Sequence, residues 1–126
     1  MSERLNIFSG YPFEDTYGYA RAVRVGNQVF VSGTTARGAD LDCDAYGQAR
    51  SVIGIIAEAL QQAGADLRHV VRTVVYVTDM ADTDAVARAH REAFGAVRPA
   101  STLVKVAGLT PATARVEIEA TAIVHD

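Results

Sequence analysis

The chain has one cysteine, one lysine and three histidines among 126 residues, and each scarcity removes a chemistry. Cys43 alone can form neither an internal disulfide nor a cysteine-based metal site. It stands among Asp40, Asp42 and Asp44, whose charges disfavour a thiolate, so it reads as incidental. A Schiff-base mechanism would have to run through Lys105, because the other eleven cations are arginines. A lysine on a mixed strand face is more simply read as solvated or ion-paired. His69, His90 and His125 share no spacing that would assemble a metal site. No apolar run approaches the ~20 residues of a membrane-spanning helix. Met1-Ser2-Glu3-Arg4 shows no basic-then-apolar leader, so a cytoplasmic protein with no membrane partner is expected. The net charge of −3 gives no general attraction to nucleic acid. What is there is globular: 49% apolar and 21% charged, long enough for one domain over residues 1–126 with a single core.

The periodicity then places elements. Gly26-Asn27 separates runs at 20–25 and 28–32, a strong hairpin signal. Gly33 closes the second run, either as a plain turn glycine or because the backbone approaches something closely there. Ala45, Ala49, Val52, Ile56, Leu60 and Ala63 recur at helical spacing, with Asp42 or Asp44 as cap and Gly64 as stop. Residues 69–78 are apolar on both faces, the mark of a central strand. A second helix spans Asp82 to Phe94, begun by Asp82 or Thr83 and halted by Gly95. Pro99 suits the start of a strand through Thr102, Val104 and Val106. In the last run, Arg115 to Val124, Val116, Ile118 and Ala120 share one face, and Arg115, Glu117 and Glu119 the other. Successive carboxylates on one strand face need water or a polar partner, so a pairing of these last two strands is where chemistry is expected. Residues 4–18 read as irregular. Tyr11, Phe13, Tyr17 and Tyr19 crowd that segment, either walling a pocket or packing into the core. The order is ββαβαββ, an α+β fold with a mixed sheet and two helices on one face. Its bare face needs cover, which an oligomer interface would supply.

Pro99-Ala100-x-x-x-Val104-x-Val106-Ala107-x-Leu109, followed by Val116-Glu117-Ile118-Glu119-Ala120, resembles the C-terminal signature of the Rid family. These are small proteins also described as reactive-intermediate (imine/enamine) deaminases or L-PSP-type endoribonucleases. Tyr19, the run Gly26 to Gly33, and Gln48-Ala49-Arg50 extend the resemblance over nearly the whole chain. It implies a chorismate-mutase-like fold, a homotrimer with pockets between subunits, and a small-molecule substrate. The implied reaction is hydrolysis of a C=N bond, with no metal or organic cofactor. By the same resemblance Glu117 positions or activates the attacking water, Tyr19 is a pocket tyrosine, and Gly33 offers a pocket backbone group. Leu103 stands where a cysteine is usual. The deaminating members carry an arginine directly after Pro-Ala, as a fork for the substrate carboxylate; this chain has Ser101.

A serine hydroxyl supplies a hydrogen bond but no charge, a loss on the order of 2 kcal/mol or some thirtyfold in affinity. Standard 2-iminoacid deamination is therefore not expected intact. Either the substrate differs or another arginine has taken the role. Arg98 lies just before Ser101 on the chain, Arg88 on the second helix, and Arg21 two residues after Tyr19. The plainer alternatives are an ion pair with Asp84 for Arg88 and an exposed strand position for Arg21. Glu117 and Tyr19 are thus the candidate catalytic residues, and Gly33, Ser101, Thr102, Leu103, Arg88 and Arg98 the candidate substrate contacts. His90 shares a helix face with Val86 and Ala93, as a satisfied half-buried side chain or a proton shuttle, whereas His69 and His125 are expected to be exposed. Three functions compete: hydrolysis of a small imine or enamine, binding of a small metabolite without catalysis, and RNA cleavage. The last ranks lowest, since an acidic chain without a basic stripe grips phosphates poorly.

Overall fold

The computed structural model describes residues 3–126. Met1 and Ser2, the start of the segment read above for a leader, lie outside the described residues. In chain order the elements are β1 (Arg4–Ile7), α1 (Pro12–Tyr17), β2 (Ala22–Val25), β3 (Gln28–Thr34), α2 (Ala45–Gln62), β4 (Val70–Val77), α3 (Thr83–Phe94), β5 (Ala100–Lys105) and β6 (Val116–Ile123). Two of these, β1 and α1, occupy the segment read as irregular. Only Ile7 of β1 and Glu14 of α1 are buried, so neither element has enough inward positions to show a period.

The hairpin forms as expected. Val25 faces Gln28, and Gly26 takes φ +60 at the first central position, as a II′ turn requires. Asp44 caps α2 by accepting from the Gly47 N–H at 2.9 Å. At its other end Gly64 turns left-handed at φ +79, while the Gly64 and Ala65 N–H groups return to the Gln61 and Leu60 carbonyls. That is a Schellman stop. Asp82 does not cap α3; its carboxylate instead holds Arg115, at 2.8 and 3.2 Å, and so ties the helix start to the root of β6.

The strands form one sheet in the order β1-β2-β3-β6-β4-β5, antiparallel throughout except for β4 with β5. This corrects the expected partnership of the last two strands. β6 runs between β3 and β4, and β5 lies beyond β4 at the edge. The reason is burial: β6 alternates buried and half-buried residues along its length, whereas β5 buries none completely and suits an edge. Val29, Val31, Val75, Val77, Val116, Ile118, Ala120 and Ala122 line one side of the sheet and form the core with the buried faces of α2 and α3. The opposite side carries Phe30, Tyr76, Val104, Glu117 and Glu119, and neither α2 nor α3 covers it. Phe30 is 46% exposed there and Val104 39%.

Gln48 joins the layers. It is fully buried, donates to the Leu41 and Thr113 carbonyls at 3.0 and 3.2 Å, and accepts from the Arg115 N–H at 2.8 Å. His69 corrects an expectation of exposure: it is buried, accepts the Asp66 N–H and packs edge-on against His125. Phe94 is the bulkiest apolar residue fully enclosed at the end of α3, with the His90 ring 4.7 Å away. Phe94→Ala is expected to cost about 3–5 kcal/mol in urea unfolding. A loss below about 1 kcal/mol would show that α3 collapses onto the vacancy.

Candidate functional site

The site begins with a buried charge. Gly18 takes φ +88 and ends α1 by returning its N–H to the Glu14 carbonyl, while the Glu14 side chain lies in the interior. There it is almost fully buried and accepts from the Ser9 N–H at 2.9 Å, from the Ser9 hydroxyl, and from Arg21 Nε at 3.1 Å. Burial alone would raise its pKa, but these bonds and the Arg21 charge outweigh it and hold the carboxyl below its usual range.

Arg21, offered by the sequence as an exposed strand residue or a pocket residue, is 1% exposed. Its Nη1 donates to the Gly33 carbonyl at 2.8 Å and to Thr34 Oγ1 at 2.9 Å, and its Nη2 donates to the Tyr19 hydroxyl at 2.9 Å. One guanidinium therefore sets α1, the end of β3 and Tyr19 relative to one another. The register of β3 against β6 slips between Val31 and Thr34, so Ser32-Gly33 forms a bulge. That bulge aims the Gly33 backbone at Glu117. A Cβ on Gly33 would stand 3.0 Å from the Glu117 carboxylate carbon and 3.2 Å from one of its oxygens. The close approach allowed by this glycine is to Glu117.

These groups line a cleft of about 580 Å³. Tyr11, Phe13, Tyr17 and Tyr19 wall it, so the aromatic segment is a pocket wall rather than core; Arg21, Arg37, Gly33 and Glu117 supply its polar groups. Burial first, and then the charge of Glu119, raise the Glu117 pKa, against a smaller pull from Arg21. Such a carboxyl can exchange a proton nearer neutrality than an ordinary glutamate. Glu119 lies two residues on and accepts the Tyr76 hydroxyl, a bond that together with burial raises the tyrosine pKa.

The other candidates lie elsewhere in the chain. Ser101 sits on edge strand β5, where Thr73 Oγ1 donates to its hydroxyl at 2.7 Å; Thr73 Oγ1 is also 2.9 Å from His90 Nε2. Half-buried His90 has a lowered pKa through burial. Thr102 Oγ1 accepts from Arg72 at 3.3 Å, and Leu103 packs against the core. Arg98 takes a left-handed φ of 56 and lines a shallow groove with Arg68 and His125. Arg88 is exposed, with no ion pair to Asp84 among the described residues, and its guanidinium carbon lies 3.7 Å over the Tyr46 ring. Within one chain, then, Tyr19, Gly33 and Glu117 come together, while Ser101, Thr102, Leu103, Arg88 and Arg98 do not join them. Sequence reasoning missed Glu14 and Arg37. Neither belongs to a periodic run, and a carboxylate seven residues before an arginine is the only signal the chain offers. Among the described residues no cluster of three or more His, Cys, Asp or Glu could hold a metal ion, and no helix is long and apolar enough to cross a membrane.

A family model described as "Endoribonuclease L-PSP" matches residues 13–124. The chain belongs to this family. A Mycobacterium tuberculosis structure described as a member of the YjgF/YER057c/UK114 family superposes with a TM-score of 0.91 at 45% identity, covering 97% of this chain and 100% of that one. An uncharacterised Streptomyces coelicolor protein is 40% identical over 116 residues, 90% of this chain and 87% of its own. The 2-iminobutanoate/2-iminopropanoate deaminase of Mus musculus is 32% identical over 109 residues, 83% of this chain and 80% of its own. The expected α+β mixed sheet with two main helices is thus the fold of its relatives as well.

The raised Glu117 pKa has a stability consequence whose sign can be worked out. The fold favours the neutral carboxyl, so that contribution is complete below the ordinary glutamate pKa of about 4.3 and is lost as pH rises through the higher folded value. Glu117→Gln is therefore expected to melt above the wild type at pH 7 and to converge with it near pH 4. Parallel melting curves with the same offset at both pH values would show that Glu117 is ionised without cost.

Proposed function

We propose that this chain, acting as one domain, is a Rid-type hydrolase of small imine or enamine metabolites. The observation that carries this reading is the Glu117 carboxyl held under Gly33 in an aromatic cleft, with a pKa raised by burial. Water adds to the C=N carbon while Glu117 accepts its proton. That proton passes to nitrogen to give a carbinolamine. Glu117 then takes the hydroxyl proton and delivers it to nitrogen as C=O forms and the C–N bond breaks, so that ammonia leaves a carbonyl product. Tyr19, fixed by Arg21, orients the substrate, and the Gly33 backbone lines its path. The reaction needs neither metal nor organic cofactor.

The working unit in this reading is a homotrimer. A sheet that leaves Phe30, Val25 and Val104 between 39% and 46% exposed on its uncovered side is poorly suited to water. Packing that side against a neighbouring copy would bring the β5 edge, with Ser101, Thr102 and Leu103, toward the Glu117 cleft of the next subunit. Arg98 and Arg88 are two of the exposed arginines that such a neighbour could present. Ser101 still provides no charge, so substrates anchored in the manner of 2-iminobutanoate are not the preferred ones. That uncharged position favours one other reading, binding of a small metabolite without turnover. RNA is not a proposed partner, since a net charge of −3 gives no phosphate footprint.

In the deciding assay an amino-acid oxidase generates imines in situ and semicarbazide traps them. The protein is expected to lower the trapped product, and Glu117→Gln to abolish that effect, a loss on the order of 10²-fold or more. No competition with any imine, charged or uncharged, would leave metabolite binding as the function. Light scattering at micromolar concentration is expected to give three times the 13.4 kDa chain mass, and a monomer would exclude the intersubunit site.

A further inference from the structure

Arg37 lines the cleft with a guanidinium whose only ion pair among the described residues is a long one, from Nη2 to Glu14. Its Nη2 is buried and has no hydrogen-bond partner among the described residues. The Glu14 carboxylate lies 3.9 Å away, beyond hydrogen-bond reach, and already accepts from Ser9 and Arg21. Native structures seldom leave a buried donor in that condition without a reason. The guanidinium carbon stands 4.5 Å from the Tyr11 ring centroid, so stacking fixes the plane of the fork before anything binds. The side chain keeps 24% of its surface exposed. Arg21 cannot serve equally: four of its five N–H groups are engaged, by Glu14, Gly33, Thr34 and Tyr19.

We propose that Arg37 is the anion anchor of the cleft, taking the carboxylate of a small planar ligand whose other end lies between the aromatic walls and Glu117. This rests on the reading of the cleft as the Rid-type site, and it supplies there the charged fork that Ser101 lacks. Burial, and then the adjacent Arg21 charge, work against the Arg37 cation, and the opposite charge of an arriving carboxylate offsets them. Tyr11, Phe13, Tyr17 and Tyr19 form walls suited to a flat, unsaturated ligand rather than a short alkyl chain. The substrate class that follows is a carboxylate conjugated with, or carried on, a planar group.

The test is calorimetric titration of the intact protein with benzoate and with benzamide, its uncharged counterpart. Benzoate is expected to bind at least about tenfold more tightly than benzamide, and Arg37→Gln to remove that preference. Arg37→Lys keeps a charge without the fork and should fall between the two, while Arg50→Gln, beside Tyr46 on α2, should leave the preference intact. A folded Arg37→Gln protein that prefers benzoate as strongly as the wild type would overturn the proposal, as would equal binding of both probes by the wild type. If Arg37→Gln does not fold, the Arg37 Nε–H resonance of the wild type decides instead: a shift with benzoate and none with benzamide is expected, and no shift with benzoate overturns the anchor. The two readings fail separately. Imine hydrolysis indifferent to Arg37→Gln removes the anchor and keeps the hydrolase, whereas benzoate held by Arg37 without imine turnover does the reverse.

Discussion

The ion pair between Arg21 and Glu14 holds the functional end of this molecule together. Both side chains are almost wholly withdrawn from water, with 3.1 Å between Nε and the carboxylate. Removing one partner of such a pair characteristically costs about 3–5 kcal/mol, because the other is left charged and alone in the interior. Here the remaining capacity of each group is also committed. Glu14 gathers Ser9 and the start of α1, and Arg21 gathers Tyr19, the Gly33 carbonyl and Thr34. A six-residue helix could not stand by itself in water. It exists because a buried charge needs it.

From that anchor the chemistry follows by position. Fixing the β3 bulge through the Gly33 carbonyl sets the backbone directly above Glu117, and only a residue without a side chain leaves the carboxyl its place. Glu117 shares its cleft with the aromatic walls. Charge in this cleft is asymmetric: one carboxyl with a raised pKa shares it with two guanidiniums, Arg21 with four of its five N–H groups engaged and Arg37 with a buried nitrogen that has no hydrogen-bond partner among the described residues. After Pro99-Ala100 this chain has Ser101, engaged with Thr73. The cations that line the cleft are Arg21, just ahead of β2, and Arg37, on the loop after β3.

The sheet explains why the two halves of the expected site are apart in a single chain. β6 is central and β5 is the edge, with β4 between them, so Glu117 and Ser101 cannot meet across a hairpin. Their association, if the trimer forms, belongs to the uncovered face and to a neighbouring copy. That face bears both exposed apolar residues and half-buried carboxylates.

Several features could be taken from the chain alone. The II′ hairpin, the cap at Asp44, the glycine stop at Gly64, the helix ending at Phe94 and the alternation of β6 are local, because each depends on backbone preference or on one face seeking apolar contact. Gly33 and Glu117 stood out by residue type and strand alternation, and Tyr19 through the resemblance to a family whose model matches residues 13–124; the structure brings the three to one cleft. The burial of Arg21 and His69, the two elements before residue 18 and the unused donor of Arg37 were not legible. Nothing in the neighbourhood of an arginine along the chain tells whether a carboxylate seven or more residues away will be folded over it. The order of the last strands was hidden for a related reason: alternation defines a strand's faces but not its neighbours. Periodicity and turn chemistry determined the elements; long-range pairing of charges and strands, which no local pattern encodes, determined the site.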